Sequence, residues 1–438
     1  MGITIKRRRG RAVVPPEDIP YLTMVWSEMR GTGPVVSSIP VFQEMQIGRA
    51  GQPPEILAVD DPAISANHCL IRHTAGGWFL EDLGSTNGTF LNGVQVSAGK
   101  LAYSDVISLG GSVFVVTRQK ASPVQFSQED FLHPSSGAMR EAIQLLQDKQ
   151  QQGGCALVYG EPGTGRSTLV RRSFGGTQGT ALVWLSADVF DGVESPGQLA
   201  KRLVDTVAAT GGAAESVRSV TLVLDDLVVL PLPVANKLAH WTLLKPELAR
   251  QGLLGDKVAG LLGIADGLAV HGGASESLWS RLCKEGQWTP VLLPGLRQRR
   301  EEIIALIWHH MVKVGSDPAK LLTDQFLEAA LLHSWPDNLP ELWDCIDQCL
   351  ALASPRQRLT AGLFSEASQQ TTERLTALRP SSSAPTSSGL KWAISNVGGN
   401  VAELVRRTNW SRRQIYRWIQ HYDITLPQNR YRRSPRSS

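Results

Sequence analysis

Two sets of residues in this sequence have the types and spacings that hold phosphate. The first is dispersed. Arg49 follows Gly48, Ser65 opens the run SANH that ends at His68, and Thr86 and Asn87 lie inside DLGSTNGTFLNG, Asp82 to Gly93. A phosphate dianion calls for a fixed cation ringed by short neutral donors; Arg supplies a planar fork, and Ser, Thr and Asn on loop tips supply the rest. A tight turn at Asn87-Gly88, where Asn-Gly favours positive φ, accounts for one of these runs but not for all three. The second set is contiguous. Gly160 to Ser167 reads GEPGTGRS, which fits G-x-x-x-x-G-K-[ST] with Arg166 at the lysine position. In such a turn the backbone of Gly160, Gly163, Thr164, Gly165, Arg166, Ser167 and Thr168, at the head of a helix, cradles phosphates. The cation bridges the outer phosphates and the Ser167 hydroxyl holds Mg²⁺. Further on, the apolar run SVTLVL ends in Asp225 and Asp226, where a Mg²⁺-binding Asp normally precedes a catalytic Glu.

These residues need elements to position them, and the texture of the chain supplies a division. With 438 residues the chain is too long for one ordinary core. Residues 1–20 form a basic arm, a DNA-binding element or a solubilising tail. Residues 21–120 alternate short β-branched and aromatic runs with Gly, Pro, Asn and Asp clusters, the pattern of an all-β sandwich whose end loops bring distant residues together. After Pro123 the pattern becomes α/β over 130–310, with the strand ALVYG leading into the Gly-rich turn, and then helical over 311–370. A linker rich in Ser, Pro and Thr is expected over 371–389, a small all-α unit over 390–426 and a basic tail over 427–438.

The dispersed set resembles the forkhead-associated (FHA) domain across about 100 residues, with its three motifs in the right order. That resemblance implies a phosphothreonine ligand: Arg49 and Ser65 bind the phosphate, Thr86 contacts it or supports the loop, Asn87 holds the peptide backbone and His68 braces the loops. A phosphothreonine-containing protein from a Ser/Thr kinase pathway is the implied partner.

The α/β segment, with LDDLVVLPLPVANKLAHW, LLPGLRQRREEI and WPDNLPEL, resembles the AAA+ domain of sigma-54-dependent activators from about Ser135 to Ala353. The resemblance implies ATP and Mg²⁺ as cofactors, with Ser167 and Asp225 on the metal, Asp226 in the catalytic position and Arg281 as an arginine finger. Several positions depart from the family pattern. Arg166 replaces the Walker lysine, Asp226 the Walker B glutamate, Asp266 the sensor Asn and Pro340 the sensor arginine, while the second arginine-finger position falls on Ser275. Between Ser167 and Val220 there is no GAFTGA-like loop, the element with which that family engages sigma-54. Asp for Glu withdraws a carboxylate by about 1.5 Å, and a misplacement of about 1 Å can cost roughly a hundredfold in rate. Hydrolysis is therefore expected to be slow or absent. A nucleotide-binding module and a scaffold that only docks the other domains stay equally open, and a divergent ATPase that activates sigma-54 promoters is the alternative.

The C-terminal unit, LKWAISNVGGNVAELVRRTNWSRRQIYRWIQHYDI, resembles the Fis-type helix-turn-helix. Asn400 can cap its second helix, and Ser411 with Gln414 forms a capping box on the third. There Ile415, Trp418, Ile419 and Tyr422 fall at spacings of three and four and face inward, leaving Arg412, Arg413, Gln414 and Arg417 outward as a recognition helix for double-stranded DNA. Charge agrees with that placement. Residues 390–438 hold ten Lys and Arg against Glu403 and Asp423, a local +8 where the whole chain sums to +4. RNA polymerase is a further implied partner and a homo-oligomer is expected, a dimer as readily as the family's hexamer. The five cysteines form no CxxC pair, so neither a zinc site nor a disulfide framework is indicated, and with no long apolar run or leader the expected setting is cytoplasmic, without membrane contact.

Overall fold

The computed structural model describes most residues within 19–121, 135–224, 258–266 and 288–378. Scattered positions between 236 and 283 are also described, as are Leu390, Ile394, Leu404, Ile415 and Ile419. Three layers of architecture follow one another along the chain.

The first is a β-sandwich. Strands β1 (Tyr21–Ser27), β2 (Ser37–Pro40), β7 (Thr89–Leu91), β8 (Val94–Val96), β10 (Val106–Leu109) and β11 (Ser112–Thr117) make one sheet in the order β2-β1-β11-β10-β7-β8. Strands β3 (Glu44–Arg49), β4 (Ile56–Val59), β5 (Cys69–Thr74), β6 (Gly77–Asp82) and β9 (Ala98–Lys100) make the other, in the order β4-β3-β5-β6-β9. Alternate side chains fill the space between them: Leu22, Met24, Ile107, Leu109, Phe114 and Val116 from the first sheet meet Ile47, Ile71 and Leu80 from the second. The sandwich departs from simple alternation in β11, where all six residues are buried. Its second face, Val113 and Val115, belongs to another core.

The second layer is a parallel sheet of β12 (Cys155–Gly160), β13 (Thr180–Leu185), β14 (Ser219–Leu224), β15 (Val258–Asp266) and β16 (Thr289–Leu293), ordered β13-β14-β15-β12-β16. Helices cover both faces, as a parallel sheet of near-continuous apolar strands requires. On one side α1 (Gly137–Gln151) and α2 (Arg166–Gly175) bury Met139, Leu146, Leu169 and Phe174; on the other α3 (Pro196–Ala209) buries Leu199, Leu203 and Val207. The order places the tip of β15 beside β12, so the turn after β12 opens where ligands of such sheets sit.

The third layer is a helical lid: α4 (Ile303–Lys313), a single turn over Pro318–Leu321, α5 (Asp324–Leu332), α6 (Asn338–Leu352) and α7 (Ala361–Leu378). Thr323 starts α5 by accepting a hydrogen bond from the Phe326 amide at 3.2 Å while donating to the Leu359 carbonyl at 2.6 Å, which ties the helix to the segment before α7. The apolar stripes of these helices converge on Ile307, Met311, Phe326, Leu331, Trp335, Leu342 and Ile346.

One boundary moves. The linker is expected from 371, but α7 continues to Leu378, with Ala367 and Thr371 buried. TTERLTAL contains no helix breaker; the first proline is Pro380. In the C-terminal unit the described positions Leu390, Ile394, Leu404, Ile415 and Ile419 are all helical and buried, and the i, i+4 pairs among them are the inward stripe of amphipathic helices. Among the described residues no helix is long and apolar enough to cross a membrane, and no group of His, Cys, Asp or Glu could hold a metal ion.

Candidate functional site

The sandwich brings the dispersed set together at one end. Arg49 ends β3 with its side chain in solvent, and its amide donates to the Ser65 carbonyl at 3.0 Å, which sets the cation beside the second loop. The Ser65 hydroxyl accepts from the Thr86 amide at 2.9 Å and lies 3.3 Å from the Thr86 hydroxyl, to which it donates. The Asn87 side-chain amide donates to the Ala63 carbonyl at 2.7 Å. Thr86 and Asn87 are exposed and Ser65 is half-buried, so a guanidinium, two hydroxyls and a carboxamide share one solvent-facing rim.

Buried groups beneath hold the rim. His68, fully buried, accepts from the Ser65 amide through Nδ1 at 3.0 Å, which leaves Nε2 to donate to the Gly88 carbonyl at 3.1 Å. It is the brace between two loops. Gly88 has φ +83°, a conformation that favours glycine, and the Gln95 side chain folds over it.

Two carboxylates that sequence reasoning did not single out complete the frame. Asp82 accepts from the Gly84 and Ser85 amides at 3.0 Å, the Ser85 hydroxyl at 2.5 Å and the Thr89 hydroxyl at 2.6 Å. Burial alone would raise its pKa, but these bonds outweigh it and hold the carboxyl below its usual range. Asp61, buried, accepts from the amides of Ala63 and Gly111 at 2.9 Å and the Ser112 hydroxyl at 2.8 Å, which pins the Ser65 loop to the β10–β11 turn. An Asp two residues before Gly-Ser is an Asx-turn signal in the sequence; the long-range role of Asp61 has no such signal.

The contiguous set forms the expected turn. Gly163 and Gly165 have φ of +75° and +95°, and α2 starts at Arg166, so backbone amides gather at a helix N-terminus. The backbone half of a phosphate site is therefore built. The cation is placed differently: the Arg166 guanidinium donates to the Ala265 carbonyl near the tip of β15, so the side chain that would bridge phosphates is held by the sheet. Ser167 is half-buried and Thr168 exposed on the first turn of α2. The backbone fits a nucleotide's phosphates; the Arg166 side chain, as placed, does not. Asp225, Asp226 and Arg281 lie outside the described residues, as do Arg412, Arg413, Gln414 and Arg417, the expected DNA-binding set.

Contacts from elsewhere brace this turn. Arg299, fully buried, donates to the Thr164 carbonyl at 2.8 Å and pairs with Glu302 at 3.1 Å. Asn338 donates to the Pro162 carbonyl at 2.9 Å and to Glu161 at 3.2 Å, and its side-chain oxygen accepts from the Leu296 amide at 2.8 Å. Arg297 pairs with Glu161 through both carboxylate oxygens, and these bonds with Asn338 hold the Glu161 carboxyl below its usual range although burial would raise it. The Leu339 amide donates to the Gly163 carbonyl at 3.1 Å. A Cβ at Gly163 would sit 2.3 Å from the Asp337 carbonyl oxygen and 2.7 Å from the Pro340 ring, so the helical layer lies directly on the turn.

The sandwich has a counterpart among known domains. Residues 45–110 match the FHA domain model. The chain contains an FHA domain. The chain is also similar to a solved domain from a structural and functional analysis of phosphothreonine-dependent FHA domain interactions, 30% identical, which covers 23% of this chain and 95% of that one with a TM-score of 0.19. The chain is also similar to transcriptional regulators. The DNA-binding transcriptional regulator NtrC of Rhizobium meliloti (strain 1021) is 23% identical over 296 residues, 61% of this chain and 59% of that protein. NtrX from Brucella abortus, solved in complex with ATP, is 19% identical over 68% of this chain and 70% of that one, with a TM-score of 0.36. The chain spans about three fifths of the NtrC relative's length. This is a multidomain architecture of an FHA sandwich, an α/β body and C-terminal helices.

Proposed function

We propose that this protein is a phosphothreonine-responsive, DNA-binding transcription regulator whose AAA+-like body binds nucleotide weakly or not at all and does not engage sigma-54 in the usual way. The observation that carries the reading is the convergence of Arg49, Ser65, Thr86 and Asn87 on one rim, held from below by His68 and Asp82. The exposed Arg49 guanidinium provides the fixed charge, and the Ser65 and Thr86 hydroxyls provide neutral donors once a phosphate replaces their mutual bond. Asn87 releases the Ala63 carbonyl to hold peptide backbone. Because these groups are preset, little ordering entropy is lost on binding.

The partners of this reading are a phosphothreonine protein made by a Ser/Thr kinase, double-stranded DNA met by Arg412, Arg413, Gln414 and Arg417, RNA polymerase, and further copies of the chain. Calorimetric titration with a phosphothreonine peptide pool of randomised flanks tests the input. Arg49→Ala should weaken binding by roughly ten- to a hundredfold, the worth of a charge-assisted hydrogen bond, and the unphosphorylated pool should not bind. Equal binding of both pools refutes the reading.

A second reading, an ATP-hydrolysing activator of sigma-54 promoters, draws on the positive-φ glycines at the head of α2. In it ATP supplies the phosphate charge that the turn receives, with Ser167 and Asp225 toward Mg²⁺. Titration of the full chain with Mg-ATP, beside Arg166→Ala, followed by phosphate-release measurement, separates the two. Binding without turnover supports a sensor, no binding supports a scaffold, and turnover abolished by Asp225→Ala establishes the activator.

A further inference from the structure

A strand at the face of a two-sheet sandwich ordinarily alternates between core and solvent. Three strands of this FHA domain do not. In β11, Phe114 and Val116 face the sandwich core while Val113 and Val115 are buried in a different one. In β10, Ile107 and Leu109 face inward, and Val106 joins the second core. In β1, the register shift between Met24 and Trp26 turns Val25 and Trp26 outward into the same cluster. The partners of these side chains are residues of the helical layer, among them Ile303, Ile307, Leu327 and Leu331.

Polar contacts ring this second core. The Ser108 hydroxyl donates to Glu328 at 2.5 Å and the Arg300 guanidinium to the Ser104 carbonyl at 2.7 Å. Trp26 and Trp308 rings lie 6.3 Å apart, and a Cβ at Gly93 would sit 3.0 Å from Leu332. One edge opens as a cleft of about 400 Å³ between Asn92, Tyr103, Ser104 and Asp105 on the FHA side and Arg300 and Leu332 on the other.

We propose that the FHA domain and the helical lid form one cooperative unit, and that the adjacent Arg299 and Arg300 transmit its position to the phosphate-binding turn. Arg300 grips the FHA backbone at Ser104, and its neighbour Arg299 grips the turn at Thr164, so two consecutive guanidiniums span the distance between a phosphopeptide-reading domain and a nucleotide-type loop. Upstream, Asp61 fastens the Ser65 loop to Gly111 and Ser112, at the turn joining the two strands that lie on the lid. Downstream, Asn338 and Leu339 carry the lid onto Pro162 and Gly163. Each link is a short contact between buried or half-buried groups, and close-packed groups pass displacement on rather than absorbing it. The wiring is independent of what the FHA rim binds.

Hydrogen exchange on the full chain tests this. In Arg300→Ala, which removes the grip on Ser104, the amides of residues 163–169 should exchange about tenfold faster although no residue of the turn has changed, in step with those of β10 and β11. Trp308→Ala, which weakens the apolar seam without touching either arginine, should loosen β10, β11 and α5 together. Unfolding of FHA and lid amides in one urea transition in the wild-type chain is the matching equilibrium result. An unchanged turn in Arg300→Ala, or an FHA domain that unfolds in a separate transition from the lid, overturns the proposal.

Discussion

Asn338 offers the sharpest test of how the helical lid is latched to the glycine-rich turn. Its side chain is fully buried and uses both ends: the oxygen accepts from the buried Leu296 amide, and the nitrogen donates to the Pro162 carbonyl and to Glu161. Its backbone has φ +55°, a left-handed conformation that Asn tolerates and Ala does not. Asn338→Ala therefore loses a hydrogen bond to a carboxylate, worth about 2 kcal/mol, and one to a carbonyl, worth about 1 kcal/mol. It also strands the Leu296 amide at a cost of about 1 to 3 kcal/mol. A methyl in the left-handed region adds about 1 to 2 kcal/mol. The bonds share one residue and do not add fully, so the expected loss is about 5 kcal/mol, in the range reserved for broken buried networks. Asn338→Gly loses the same bonds without the backbone strain and should be about 1 to 2 kcal/mol more stable than the alanine variant. Urea unfolding followed by tryptophan fluorescence reads this directly, because the buried Trp335 lies three residues away and donates to the Ala330 carbonyl at 2.8 Å. Should both variants unfold within about 1 kcal/mol of the wild type, Asn338 does not latch the lid. Should they unfold together but far below it, the left-handed backbone contributes nothing.

Glu301 and the C-terminal helix give two further tests. Burial, and then the neighbouring Glu302, push the Glu301 carboxyl up to about 7. Between an unfolded value near 4.5 and that folded value the native state holds the extra proton. Its contribution is therefore complete below the lower value and is lost as pH rises through the upper one, on the order of 3 kcal/mol in all. Glu301→Gln should flatten the pH dependence of the unfolding midpoint from pH 5 to 8 and be the more stable form at pH 8; parallel curves for the two proteins would sink the assignment. On the proposed DNA-binding face, the Arg412→Ala, Arg413→Ala double variant should lower the slope of log affinity against log salt for promoter-length DNA by about 1.8 if both arginines meet phosphates. If they read bases instead, slope changes less and specificity relaxes; no change in either excludes this face from DNA contact.

The legible and illegible parts of this molecule differ in how far their determinants reach along the chain. The FHA rim was readable because each of its groups sits in a short local signature: Gly48-Arg49, the SANH run, and Thr86-Asn87 before a glycine that needs φ +83°. The nucleotide-type turn was equally readable, through Gly163 and Gly165. What could not be read was the destination of side chains. Arg166 occupies the lysine position in the sequence, yet its guanidinium reaches residue 265, a strand tip that only the order β14-β15-β12 brings alongside. Asp61 and Arg299 likewise act through partners fifty or more residues away. The end of α7 is a local matter: TTERLTAL falls in the span expected as linker, yet no proline stops the helix before Pro380.

The lid-facing side of the FHA sheet did leave a trace, and it is a trace of composition rather than motif. The run SVFVVT in β11 has Val at 113, 115 and 116 around Phe114, so its apolar residues do not alternate with polar ones as those of a strand with one wet face do. An FHA domain alone in water would expose Val113 and Val115 together with Val25 and Trp26, a patch that single soluble domains rarely present. The sequence of a module that reads phosphopeptides thus carries the imprint of a second partner, and the partner is its own chain. Apolar positions at odd register in β1, β10 and β11, a serine at 108 and a bare carbonyl at Ser104 are complementary to Leu327, Leu331, Glu328 and Arg300. Since such a match has no bearing on binding phosphate, its presence argues that the position of the FHA domain against the lid is itself part of what this protein does.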